Sequence, residues 1–118
     1  MQNEERDLLV RTKQFARRII RLYGALPKTT VAQVLGKQAL RSGTSVGANY
    51  REANRGRSKA EFVAKIGDCL KEADETAYWL ELMVEENVVA AGRLKPLLNE
   101  TNELVAIFVT ISKRARGN

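Results

Sequence analysis

The stretch from Arg41 to Phe62, RSGTSVGANYREANRGRSKAEF, carries the decisive signal for the fold. It holds Gly43 and Gly47 within a helical pattern, although an interior glycine costs a helix about 1 kcal/mol relative to alanine. Two glycines four residues apart leave a surface free of side chains, against which a second helix can pack closely. We therefore predict one continuous helix through residues 42–48; the alternative is a loop that separates two shorter helices.

Apolar residues recur at alternating intervals of four and three along most of the chain, which is the spacing of an amphipathic helix. Four such stripes predict four long helices joined by short connections. This pattern favours an all-α fold, an antiparallel up-down-up-down four-helix bundle, with residues 1–118 forming a single domain. The stripes consist of Leu8, Thr12, Phe15, Ile19, Leu22 and Leu26; of Leu35, Ala39, Ser42, Val46, Asn49 and Ala53; of Phe62, Ile66, Cys69, Ala73, Thr76, Leu80 and Met83; and of Leu97, Thr101, Leu104, Phe108, Ile111 and Ala115.

Residues with strong local preferences mark the ends of the first two helices. Pro27 disfavours helix in the residue before it and so ends the first helix. Thr29 or Thr30 can cap the second helix, and Gly56 is suited to its C-terminal end.

The third and fourth helices have their own start signals. Ser58 and Glu61 have the spacing of a capping box, which predicts that the third helix begins just after Ser58. The periodicity weakens over 87–92, where we expect a turn. Pro96 is expected in the first turn of the fourth helix, where it loses no hydrogen bond; in a helix that began much earlier it would produce a kink.

Residue types that the chain lacks narrow the range of functions. It has no histidine, so it lacks both the usual base for a serine or cysteine nucleophile and the Glu-x-x-His motif of di-metal bundles. Cys69 is the single cysteine and lies on a core stripe, which excludes an internal disulfide and favours a small buried side chain. We expect a protein that is not an enzyme and that holds no metal or cofactor.

The chain also lacks targeting and membrane signals. Its N-terminus has no signal-peptide pattern, and its longest uncharged runs, 42–50 and 104–112, are nine residues long. A membrane-spanning helix needs about 20 apolar residues. With its lone cysteine, the sequence predicts a soluble, cytoplasmic protein without a membrane partner.

Charge is distributed unevenly along the chain. The net charge is +6, but residues 1–57 hold 12 basic and four acidic residues, whereas residues 58–91 hold three basic and eight acidic ones. Two basic rows on the first and second helices avoid the apolar stripes, which favours a site for a polyanion such as RNA or DNA over the alternative of a solvated helix face. The predicted nucleic-acid-binding residues are Lys13, Arg17, Arg21, Lys37, Arg41, Arg51 and Arg55.

The third helix carries two further features. The run AYWLELMV over 77–84 is apolar around most of its circumference, which indicates burial on a second face. Because Tyr, Trp and Met are enriched at interface cores, we expect Tyr78, Trp79 and Leu82 to lie at a subunit interface. An acidic row, expected to face solvent or basic groups, including those of another subunit, comprises Glu61, Asp68, Glu72 and Glu75.

Residues 40–83, LRSGTSVGANYREANRGRSKAEFVAKIGDCLKEADETAYWLELM, resemble the signature of the bacterial four-helix bundle proteins encoded within intervening sequences of large-subunit ribosomal RNA genes. The resemblance continues in FARRIIRLYGALPK (15–28) and RLKPLLNETNELVAIFVTISKRA (93–115), and so covers nearly the whole chain. The positions that match the central motif are Arg41, Ser42, Ser45, Val46, Asn49, Glu52, Ser58, Glu61 and Phe62.

That family is similar in fold to the accessory variability protein of diversity-generating retroelements, and its members form homopentameric rings. The retroelement relative binds nucleic acid and the reverse transcriptase. The resemblance therefore implies a homopentamer that binds nucleic acid as an accessory factor to a reverse transcriptase. The alternative is a structural interaction module whose basic face docks an acidic protein.

Overall fold

The computed structural model describes residues 2–117, with side chains from Asp7 onward, and over this range it consists of four helices. The helices are α1 (Gln2–Ala25), α2 (Thr30–Asn54), α3 (Lys59–Glu85) and α4 (Ala91–Gly117). Short connections make consecutive helices antiparallel neighbours. α1 packs on α2, α2 on α3 and α3 on α4, while α1 and α4 touch least extensively. The all-α, up-down-up-down four-helix bundle predicted from the stripes is confirmed.

The glycine-containing stretch is part of one continuous helix, as predicted, because α2 runs unbroken through residues 42–48. Its glycines face α1. A Cβ atom built on Gly43 would lie 2.8 Å from Cγ1 of Ile19, and one built on Gly47 would lie 3.3 Å from the carbonyl oxygen of Thr12. The missing side chains therefore allow α1 to approach α2 closely, which compensates for the low helix propensity of glycine.

The core follows the predicted stripes closely. In each helix the stripe residues are buried, apart from a few half-buried members near the helix ends and the bundle surface. Tyr50 lies beside the second stripe and packs its ring against Phe108, with centroids 6.0 Å apart. The half-buried stripe residues are Leu22, Leu35, Asn49, Phe62, Ile111 and Ala115.

None of the helices, over the part of the chain described, combines the length and hydropathy needed to cross a membrane.

Buried hydroxyl groups in the core are satisfied locally or across helices. Thr12 donates to the carbonyl oxygen of Leu8 at 2.7 Å. Ser42 on α2 and Thr76 on α3 share a hydrogen bond of 2.8 Å between their buried hydroxyls. Each hydroxyl also lies within hydrogen-bond distance of the carbonyl four residues earlier on its own helix. Buried polar groups paired in this way avoid the cost of an unmet hydrogen bond.

The predicted caps form at α2 and α3. Thr29 accepts from the Ala32 amide at 3.3 Å and is the N-cap of α2. Ser58 accepts from the Glu61 amide at 3.1 Å and is the N-cap of α3. The Glu61 carboxylate accepts from the amide of Arg57 at 2.6 Å, one residue before the position expected for a capping box.

The turn expected over 87–92 is present and ends α3 with a left-handed residue. Asn87 has φ 59°, a conformation that asparagine tolerates better than most residues. The amide of Val88 donates to the carbonyl of Met83 at 2.8 Å, and that of Asn87 donates to Val84 at 3.0 Å. This pair of bonds is the Schellman motif of a helix C-terminus.

Pro96 corrects one expectation. α4 begins at Ala91, so Pro96 lies in the second turn of the helix rather than the first. The amides of Arg93 and Leu94 donate to the carbonyl of Ala90 at 3.1 and 3.3 Å, which forms a complete turn ahead of the proline. Pro96 has no N–H, so the carbonyl of Gly92 loses its usual partner within the helix.

Candidate nucleic-acid interface

A groove runs between α1 and α2 on the outer surface of the bundle. It has a volume of about 500 Å³, and small side chains at its floor leave it open. Lys13 lies on α1, Arg51 lies in the last turn of α2, and Arg55 is the C-cap of that helix. We call it the α1–α2 groove; the residues that define it here are Leu9, Lys13, Ala16, Ala48, Arg51 and Arg55.

Basic residues predominate in the α1–α2 groove, which is lined by Lys13, Arg51 and Arg55 and by one acidic residue, Glu52. Lys13, Arg51 and Arg55 are exposed, and none takes part in the ion pairs of the described side chains. Glu52 also lines the groove, but its carboxylate binds the Lys65 ammonium on α3 at 2.7 Å. That contact raises the pKa of Lys65, and the described ion pair of Glu52 is therefore with α3 rather than with a cation of the groove. A surface of this kind attracts polyanions.

The structure brings three of the seven predicted binding residues together and separates the others. Lys13, Arg51 and Arg55 share the α1–α2 groove. Arg17 and Lys37 are exposed and are not among the residues that line the α1–α2 groove. The other two residues lie at other seams, by which we mean the lines of contact between neighbouring helices. Arg21 lies at the α1–α4 seam and Arg41 at the α2–α3 seam.

Arg41 lies on the α3 side of α2 and is occupied within the chain. Its guanidinium forms ion pairs with Glu72, at 3.3 Å, and with Glu75. Glu75 also accepts from the indole nitrogen of Trp79 at 3.0 Å. Arg41 is therefore a weaker candidate for phosphate binding than the groove residues. Glu72 and Glu75 of the acidic row thus pair with Arg41, and a third member, Asp68, lies 3.9 Å from the Lys65 ammonium.

The predicted interface residues differ in exposure. Tyr78 is 55% exposed, so the 77–84 run is not buried on every face. Trp79 is half-buried and packs against the core, and its ring makes an edge contact with Tyr78 at a centroid distance of 5.1 Å. Leu82 is half-buried. Tyr78 thus presents an aromatic ring on the outer surface of α3, and a role at a subunit interface stays a prediction.

The sequence reasoning missed the arginines that face α4. Arg11 forms a two-point contact with Glu100, at 2.7 and 2.8 Å, and a third contact with Glu103 at 2.7 Å. These carboxylates raise the pKa of Arg11. Arg18 lines a cleft with Arg21 and with Arg93 of α4. Arg11 and Arg18 are seven residues apart, which places both on one face of α1. This spacing is the sequence signal that could have indicated a second basic face on that helix.

Cys69 and the acidic side chains are the candidate nucleophilic and metal-ligating groups considered among the described residues. Cys69 is fully buried, and burial raises the pKa of its thiol to about 12. The thiol is therefore protonated at neutral pH, and it is the thiolate that acts as a nucleophile. Within the described residues, no three acidic or cysteine side chains are clustered closely enough to hold a metal ion.

Comparisons with known proteins agree with this architecture. Over residues 4–110 the chain matches the family described as 23S rRNA-intervening sequence protein. It is also similar to a protein of unknown function from the S23 ribosomal protein family of Bacteroides thetaiotaomicron, whose crystal structure was determined at 1.70 Å. The two share 38% identity with a TM-score of 0.86, and the match covers 92% of this chain and 97% of that one. Among curated proteins, none matches.

Proposed function

The chain belongs to the 23S rRNA-intervening sequence protein family, and we propose that it is a non-enzymatic, self-assembling protein that binds nucleic acid through the α1–α2 groove. The observation that carries the proposal is that Lys13, Arg51 and Arg55 line one groove, are exposed and form none of the described ion pairs. Lysine and arginine bind phosphate groups whatever the base sequence. RNA or DNA with low sequence specificity is the ligand that this chemistry fits.

Salt dependence tests the proposal directly. Fluorescence anisotropy with labelled RNA and DNA of mixed sequence should give an affinity that falls as salt rises. Three phosphate contacts predict a slope of log K against log salt of about −2 for single strands and nearly −3 for duplex DNA. No binding at low salt, or binding that is insensitive to salt, contradicts the proposal.

Charge reversal locates the surface. Lys13→Glu combined with Arg51→Glu should abolish binding while leaving the helical circular dichroism unchanged, because both side chains are exposed. Lys71→Glu combined with Lys95→Glu is the matched control. Both lysines are exposed on α3 and α4, and the change in net charge is the same. If the two double variants lose nucleic-acid binding equally, the loss is due to net charge, and the α1–α2 groove is not the binding surface.

Self-assembly is the second part of the proposal, and a homopentameric ring is the form that the family resemblance implies. Tyr78, with Trp79 and Leu82, supplies the exposed apolar surface on α3. Tyr78→Glu should dissociate the assembly without unfolding the bundle, whereas Val34→Glu, at a position on α2 that is 55% exposed, should leave it intact. Light scattering measures both, and a parent protein that is monomeric at micromolar concentration contradicts self-assembly.

The proposed biological role is that of an accessory factor to a reverse transcriptase, and it rests on the resemblance to the retroelement protein. Co-purification with such an enzyme, in the presence and absence of nuclease, separates direct contact from bridging by nucleic acid. The competing function is a structural module that docks an acidic protein. Binding to an acidic protein without binding to nucleic acid would favour this second function.

A further inference from the structure

A second concave surface lies where α1 ends beside the α3–α4 connection. This α1–α4 cleft has a volume of about 460 Å³ and lies on the least extensive seam of the bundle. Apolar side chains that include Leu22, Val89 and Leu97 form its walls. Arg18, Arg21 and Arg93 add three positive charges to this apolar surface. It is distinct from the α1–α2 groove, with which it shares no lining residue.

The three arginines of the α1–α4 cleft lack acidic partners in the structure described. No acidic residue is among the described side chains that line the cleft, and no ion pair of the described residues includes Arg18, Arg21 or Arg93. Farther along the same seam, Arg11 contacts two carboxylates of α4. Arg18 also lines the adjoining cleft with Asp7 and Glu100, but the described ion pair of Glu100 is with Arg11. Among the described residues, Arg18, Arg21 and Arg93 are therefore available to an external anion.

We infer that the α1–α4 cleft binds a small amphiphilic anion, with a carboxylate, phosphate or sulfonate head on an apolar body. The volume lies within the range of small-molecule sites, which are mostly apolar with a few polar groups that fix orientation. Guanidinium groups bind the oxygens of such heads with two parallel hydrogen bonds. The Leu and Val walls would remain in water beneath a bare inorganic ion, whereas an apolar body covers them.

Matched probes separate the contributions of head and body. Decanoate and decyl phosphate carry both parts, acetate lacks the apolar body, and decanol lacks the charge. Titration of the isotope-labelled full chain, followed by amide NMR shifts, should show saturable binding of the first two, with the shifts centred on residues 18–27 and 88–97. Binding of acetate or decanol as tight as that of decanoate overturns the inference, and so do shifts located elsewhere.

Substitution of the arginines tests the same site from the protein side. Arg18→Gln combined with Arg93→Gln should weaken decanoate binding about tenfold or more, because a charge-assisted hydrogen bond contributes on that scale. Arg17→Gln combined with Lys37→Gln, two exposed cations outside the cleft, should leave binding unchanged. Circular dichroism confirms that each variant is folded. Equal effects of the two double variants overturn the assignment.

An acidic peptide is the competing occupant. A short peptide in which leucine and phenylalanine alternate with aspartate is compared with decanoate by displacement of 1-anilinonaphthalene-8-sulfonate from the full chain. Displacement by decanoate supports the small-anion site. Displacement by the peptide with no effect of decanoate would show that the cleft docks a protein segment, and the inference would be wrong.

Discussion

The two long seams of α2 differ in how they hold their neighbours. On the α3 side, polar contacts cross the seam at several levels. Arg41 binds two carboxylates of α3, and Lys65 of α3 binds Glu52 of α2 at 2.7 Å. In the interior, the Ser42 and Thr76 hydroxyls meet at 2.8 Å. This seam combines apolar packing with matched charge and a buried hydrogen bond.

On the α1 side, close approach of the helices takes the place of ion pairs, and the Tyr23 hydroxyl of α1 donates to the Gln33 side chain of α2 at 2.8 Å. Gly43 and Gly47 bring the α2 backbone against Ile19 and Thr12. No ion pair among the described side chains joins α1 to α2. The cations of this seam, such as Lys13 and Arg51, face outward.

The difference suggests that charged residues on the two sides of α2 have different roles, one in stability and the other in binding. On the α3 side, Arg41 and Glu52 form ion pairs with side chains of α3 and so contribute to the packing of the bundle. Cations on the α1 side, such as Lys13 and Arg51, form no ion pair among the described side chains, so the ion pairs of the fold do not explain their positions. Binding of a polyanion is the explanation that we propose, and substitutions on the two seams can test it.

The largest effect is expected at the glycine seam. Gly43→Leu places a side chain where a Cβ alone would lie 2.8 Å from Ile19, and overpacking of this kind costs about 1–3 kcal/mol. Gly67→Leu is the control, because Gly67 lies inside α3 and a Cβ added there would meet no neighbouring atom within 4 Å. At this open position the gain in helix propensity should stabilise the protein by up to about 1 kcal/mol.

Urea denaturation of the two glycine variants measures the difference between crowded and open positions. The argument requires opposite signs at the two sites. If Gly43→Leu is as stable as the parent, α1 can move away at little cost, and close packing does not account for the glycines.

A smaller loss is expected at the buried hydroxyl pair of the α3 seam. Thr76→Val removes the hydrogen bond to Ser42 and should cost about 1 kcal/mol, the usual net value of such a bond. The effect should be coupled to that of Ser42→Ala, so that the double variant loses less than the sum of the two. Thr110→Val, at an exposed position on α4, should change the free energy of unfolding by less than about 0.5 kcal/mol. Additive losses would mean that the two hydroxyls act independently.

The fold was accessible from the sequence because it depends on local patterns. The spacing of apolar residues set the four helices, and the caps at Thr29 and Ser58 set two of their starts. Pro96 was misplaced because proline is acceptable in the first turn of a helix, and nothing nearby showed that a further turn would form ahead of it. A start signal at Ala91 is absent from the sequence itself.

The candidate site could be predicted from the sequence only in part, because the ion-pair partner of a charged side chain depends on which helix packs beside it. Lys37 and Arg41 lie four residues apart on one helix, yet Arg41 is paired with α3 and Lys37 is not among the described ion pairs. Arg18 and Arg93 are 75 residues apart in sequence but line the same cleft, and no local pattern connects them. Residue spacing predicts which side chains share one face of a helix. Which helix packs against that face is determined by the tertiary structure.

The smallest effect on stability is expected from the surface charges, and it compares the two seams most directly. Arg41→Gln should destabilise the bundle by less than about 1 kcal/mol, because the ion pairs of Arg41 are half exposed, and the loss should shrink at high salt. Arg51→Gln should leave stability within about 0.5 kcal/mol of the parent, because no described ion pair holds that side chain, and yet it should weaken nucleic-acid binding. Thermal denaturation and anisotropy on the same two variants give a two-by-two comparison. The comparison fails if the two variants lose similar stability, or if only Arg41→Gln weakens nucleic-acid binding. Either result would show that charges on the α3 side do not act mainly in stability and those on the α1 side mainly in binding.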